Sequence, residues 1–260
     1  MGHQRLGKLP TSRPWRDVVA ALAGAADGGA IATLSAAAAG RAFEQARQSP
    51  AFVEIVDLLV RLPLAARMPN YVDGLRDLGL KLETAPGFPE LMAALVARMD
   101  AAGSVVGRAE TSDVPELARL AALDALTGLI EPQLPGLFGA DPADLRSVLG
   151  KFASGQQFAV LAREFYARFI YRTLDYYLSR ELAAHTGPGR RFEGFADRRA
   201  FEAALAVHCR ESTLIIADHS SGWFGKHVYL KGDLSEGVVK NFVAYSLRKV
   251  RAELGKRQDA

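Results

Sequence analysis

The chain has 260 residues, 49% apolar and 23% charged, which is the composition of a folded globular protein and excludes a disordered or fibrous one. Its net charge of +3 is modest beside the dense basic patches of strong nucleic-acid binders. A single cysteine, Cys209, rules out an intrachain disulfide and fits a reducing, cytoplasmic setting.

The small net charge conceals segregation. Residues 1–48 carry +3, residues 49–150 carry −6, residues 151–189 carry +2 and residues 190–260 carry +4. An acidic middle between basic ends favours oriented docking, within the chain or between copies.

In chain order, Arg5, Lys8, Arg13 and Arg16 precede "VVAALAGAA", the outline of a secretory signal. Asp17 and Asp27 bracket that run, and its apolar content is mostly Ala and Gly, so a secretory signal is not expected. Elsewhere no run approaches the roughly 20 apolar residues of a spanning helix, and no membrane span is expected.

Helix-start signals then recur. Ser49–Pro50 pairs an N-cap with Pro at the first helical position. Asp113 with Glu116 and Asp233 with Glu236 have capping-box spacing, and Asp141–Pro142 with Asp144 adds a third start. "FPELMAAL" and "VPELARLA" look alike, but the Pro-led starts at Pro50, Pro89, Pro115 and Pro142 have no fixed period, which argues against a solenoid.

From about Ser154 to His185 two apolar stripes share one helix: Phe158, Leu161, Phe165 and Phe169, and Tyr166, Ile170, Leu174, Tyr177 and Leu178. A helix apolar over most of its circumference is surrounded by others, so this one is the expected centre of the fold.

Most of the residues with chemical potential come late. His208, Cys209, Asp218, His219 and His227 are metal-ligand types, but their spacing matches no zinc pattern, and no metal or other cofactor is expected. His208 lies on the apolar face of a predicted helix with Phe201, Leu205 and Ser212 and reads as a core histidine. "ADHSSGWFGKHVYL", residues 217–230, is the densest stretch. Two readings compete for it. It is a structural turn that folds Trp223, Phe224 and Tyr229 onto the core, with a short β-hairpin from "TLIIA" to "HVYL" as one form. Alternatively it is a glycine-containing loop in which Asp218, His219, Ser221, Lys226 and His227 hold an anion or perform catalysis, and Trp223 anchors a partner. The last helix, from Asp233 onward, buries Val239, Phe242, Val243, Leu247, Val250 and Leu254. Lys240, Arg248 and Arg251 line another face, with Lys256 and Arg257 at the end.

The expected fold is all-α: a single bundle of roughly nine or ten helices around the helix at about 154–185, with room for the hairpin near 214–230. It forms one domain over 1–260, divisible into sub-lobes 1–150 and 151–260. The expected function is a non-enzymatic interaction protein, an adaptor or assembly subunit. It would bind a protein partner, or a second copy, through the 218–230 loop and the basic C-terminal helix. A nucleic-acid-binding protein using that basic face is the first alternative. A small phosphate-handling or metal-dependent hydrolase centred on Asp218, His219 and His227 is the second.

Overall fold

The computed structural model describes residues 13–24, 26, 28–106, 113–136 and 141–256. Arg5, Lys8 and Arg257 lie outside them. Among the described residues there are twelve α-helices and no β-strand: α1 (Arg13–Ala23), α2 (Gly28–Ala38), α3 (Gly40–Gln48), α4 (Pro50–Arg67), α5 (Tyr71–Asp77), α6 (Phe88–Val106), α7 (Val114–Ile130), α8 (Pro142–Lys151), α9 (Gly155–Ala184), α10 (Phe195–Ser212), α11 (Leu214–Phe224) and α12 (Glu236–Lys256). A 3-10 turn, Glu131–Gln133, follows α7, and a π-helical turn, Gly225–Leu230, continues α11. The fold is all-α as expected. The count exceeds nine or ten partly because a break at Thr213 divides a stretch that reads as continuous.

The central helix lies where the apolar stripes put it. At 30 residues, α9 is about 45 Å long, and it packs mainly against α7, α10 and α11. Phe158, Phe165, Tyr166, Phe169, Ile170 and Leu174 on it are all buried. Phe52 of α4 enters this stripe, with ring centroids 5.5 Å from Phe165 and 4.8 Å from Phe169. Such tilted and edge-on pairs add to the free energy of apolar burial. Close approach also demands a small residue. At Gly155 an added Cβ would lie 2.8 Å from the Ser221 carbonyl oxygen, so α11 crosses the start of α9 nearly backbone to backbone.

The helix starts divide into two groups. Ser49 Oγ accepts from the Phe52 amide at 3.1 Å. Asp141 and Asp144 form a full capping box, each carboxylate accepting from the other's amide, at 2.8 and 3.2 Å. Asp113 departs from expectation. Its backbone is already helical (φ −79°, ψ 0°), so its side chain caps nothing and instead accepts from the Tyr176 hydroxyl at 2.7 Å. Asp233 likewise turns to the Ser235 amide at 2.9 Å, an Asx turn two residues on.

Arginines close several helix ends. Arg146 of α8 donates to Ala66 O and Met68 O at the end of α4, at 2.9 and 2.6 Å, while Arg67 of α4 donates to Gly150 O of α8 at 2.8 Å. Each satisfies carbonyls that a terminus leaves unpaired. The acidic residues of segment 49–150 also pair largely with arginines of that segment, as in Glu54–Arg98, Asp57–Arg61 and Asp100–Arg119. Among the described residues none of them forms a salt bridge with the cations of α12. No helix among the described residues is long and apolar enough to cross a membrane.

Candidate functional site

Residues 217–230 form neither a hairpin nor a glycine loop. The segment is the second half of α11 running directly into the π turn. Gly225 has helical φ −56° and ψ −45°, and neither Gly222 nor Gly225 has a positive φ, so no backbone nest forms for an anion. The reason is packing. Two glycines cost a helix about 1 kcal/mol each, but Phe224 is fully buried and stacks on Phe158 at 4.7 Å. Burying one such ring contributes roughly 1.5–3 kcal/mol, and Trp223 adds a stack on Phe242 at 4.3 Å.

The π turn widens the helix by one residue per turn, a distortion common at functional sites. Here it places Lys226 and His227 beside α12. Together with His219, Trp223, Asn241, Phe242 and Tyr245 they line a cleft of about 370 Å³. Its walls are ring contacts: Trp223–His227 at 5.4 Å, His219–Phe242 at 5.4 Å and His219–Tyr245, edge to face, at 4.8 Å. The His227 Nδ1 atom is buried without a hydrogen-bond partner.

A second cleft, of about 400 Å³, has Asn241 and Tyr245 in common with the first. It is lined by Phe43, Glu44 and Arg47 of α3 and by Leu247, Arg248 and Arg251 of α12. Glu44 accepts both Arg47 Nε contacts, at 3.1 and 3.0 Å, and a Gln48 amide at 2.6 Å. Those bonds, the one to Arg47 foremost, hold its carboxyl below the usual range. Arg248 and Lys249 each lie 5.4 Å from the Tyr245 ring centroid, within cation–π range. Lys226, Lys240, Arg248 and Lys249 have no salt bridge among the described residues.

The fold thus gathers His219, Trp223, Lys226 and His227 into one cleft and Arg248 and Arg251 into its neighbour. It does not bring Asp218, Ser221 or Lys240 to either. Ser221 faces the other way, its Oγ 3.0 Å from where a Cβ on Gly155 would sit. His219 is oriented by a different serine, Ser246, whose Oγ lies 3.0 Å from Nε2. Ser246 is fully buried, as is Tyr166, whose hydroxyl interacts with it without full hydrogen-bond geometry. Burial lowers the pKa of His219 below its ordinary 6.5, and the nearby Lys249 adds to the effect.

Asn241, Tyr245, Ser246, Phe43 and Arg47 were not singled out by their sequence pattern. Tyr245 carries one signal, being an aromatic residue one helical turn before Arg248 and Lys249 on the polar side of an amphipathic helix. His208 is buried on α10 and lines neither cleft, as expected of a core residue. The helix breaks at Thr213, so its separation from His219 is not set by one axis. No group of three or more His, Cys, Asp or Glu among the described residues could hold a metal ion. Burial pushes the Cys209 thiol up to about 12, which leaves it unreactive. No protein-family model, no curated protein and no solved structure matches this chain.

Proposed function

We propose that this protein is a non-enzymatic interaction protein that binds an anionic partner through the face formed by α11, the π turn, α12 and α3. The observation that carries this reading is the pair of clefts that share Asn241 and Tyr245, one walled by aromatic rings and the other lined by three arginines. Guanidinium groups suit carboxylate and phosphate oxygens, which they meet through paired N–H donors. Aromatic walls take a planar or apolar group and exclude water from the contact.

What weighs against a hydrolase centred on Asp218, His219 and His227 is the arrangement of its intended parts. Catalysis needs a nucleophile and base that face substrate. The serine bonded to His219 is sealed in the core, and Asp218 and Ser221 line neither cleft.

The test is titration of fluorescently labelled poly-L-glutamate in low salt. Saturable binding is expected, weakening with added salt as surface attraction is screened. The double variant Trp223→Ala, Arg248→Glu should weaken it about tenfold or more with helical circular dichroism unchanged. Equal affinity of variant and parent would overturn the proposal.

A further inference from the structure

The two clefts are different in kind and share Asn241 and Tyr245 in their linings, an asymmetry that points to a ligand with two unlike parts. We infer that this face is a nucleoside-phosphate site, with the base in the aromatic cleft and the phosphate in the arginine cleft. This rests on reading the α11–α12 face as a binding surface and names the chemical class it selects.

Three features fit a nucleotide. First, Arg47, Arg248 and Arg251 all line one concavity of about 400 Å³, where Arg47 is paired with Glu44. Guanidiniums gathered in one cleft match a compact group with three acceptor oxygens and close to two negative charges, which is a terminal phosphate. Glu44, the one carboxylate among the residues lining either cleft, is occupied by Arg47 and Gln48 and leaves the concavity net positive.

Second, the other cleft is walled by the rings of Trp223, His227, His219 and Tyr245, which offer planar surface to a heterocycle. Tyr245 lines both clefts, is 37% exposed, and has Arg248 and Lys249 within 5.4 Å of its ring. Base–aromatic stacking beside cations is how single nucleotides of a strand are held without sequence readout.

Third, Asn241 also lines both clefts and is exposed. Its amide carries a donor and an acceptor side by side, the pairing that matches the edge of a purine. Both volumes lie in the range that holds small molecules.

One ligand chemistry here has two sources, a free nucleotide or the end of a single strand. The test is isothermal titration with ATP, AMP, adenosine, inorganic pyrophosphate, a 5′-phosphorylated oligothymidylate and poly-L-glutamate. Binding of ATP or AMP is expected, with adenosine and pyrophosphate each weaker by about tenfold or more because each fills only one cleft. Tyr245→Ala and Arg248→Glu should each weaken nucleotide binding about tenfold, while circular dichroism confirms an intact fold. An oligonucleotide that binds more tightly than AMP, and loses affinity in Tyr245→Ala, supports the strand end as source. Pyrophosphate binding as tightly as ATP overturns the inference, since the arginines alone would then suffice. Poly-L-glutamate binding with no nucleotide or oligonucleotide binding overturns the inference but leaves the interaction function standing. Binding of nothing overturns both.

Discussion

His219 Nε2 lies 3.0 Å from the hydroxyl of Ser246, while its Nδ1 lies 2.9 Å from the carbonyl oxygen of Ile215. A carbonyl only accepts, so Nδ1 carries the hydrogen. In the neutral ring Nε2 must therefore accept, and Ser246 donates to it. Both ring nitrogens are spent on holding the imidazole at the edge of the aromatic cleft. The same pair that resembles a base and its nucleophile acts as a positioning device, since Ser246 is buried.

His219 gives the fold a pH dependence with a definite sign. Its folded-state pKa lies below the ordinary 6.5, chiefly through burial. On acidification the unfolded chain therefore takes up the proton first, and this residue's contribution to stability falls from about pH 6.5 downward until the folded pKa is passed. Above that window it contributes no slope. Urea midpoints between about pH 5 and 7.5 should show His219→Gln with a flatter acid limb than the parent. Superimposable slopes would exclude His219 as the source.

Two glycine substitutions should act in opposite directions. At Gly155 an added methyl meets the Ser221 backbone oxygen at 2.8 Å. Backbone cannot step aside, so Gly155→Ala should cost about 1–3 kcal/mol despite the better helix propensity of Ala. At Gly128, exposed on α7, the nearest atom is the far end of the Arg168 side chain at 2.6 Å, which can swing away. Gly128→Ala should therefore stabilise by roughly 0.5–1 kcal/mol. Chemical denaturation of the two variants decides the comparison.

Arg191 closes the end of α1. Its guanidinium donates to Ala21 O at 3.0 Å, Leu22 O at 3.2 Å and Gly24 O at 2.7 Å, and also to Ala26 O. Charged hydrogen bonds contribute about 1.5–3 kcal/mol where partly buried, so Arg191→Met should lower stability by roughly 2 kcal/mol. Amide exchange should accelerate first in α1, where Trp15 packs on Tyr177 at 4.7 Å. Exchange that rises uniformly over all helices would contradict this local role.

Asp141 and Asp113 carry the same sequence signature with different consequences. Asp141→Ala removes a complete capping box and should cost about 1 kcal/mol. Asp113→Ala removes only an exposed contact with Tyr176 and should cost about half that or less. Equal losses in thermal denaturation would mean the signature acts without the geometry.

The sequence by itself determined the fold class, the central helix and the core. Those follow from apolar periodicity, which is local. The stripes of residues 154–185 placed α9 within one residue at each end, and all six apolar positions assigned to the buried face of α12 are buried. His208 was legible as a core residue for the same reason.

The form of residues 217–230 was not legible. Glycines and β-branched neighbours favour a turn or hairpin locally, and only the pockets offered to Phe224 and Trp223 by α9 and α12 make them helical. Likewise, a sequence pattern can mark Lys226, His227, Arg248 and Arg251 as notable, but not say which of them share a cavity. Tertiary structure decided that Ser246 rather than Ser221 meets His219, that Arg47 joins the α12 arginines, and that Tyr245 and Asn241 line both clefts. Helix-to-helix rotation sets these encounters, and it depends on how distant apolar faces interlock rather than on any residue's near neighbours in the chain.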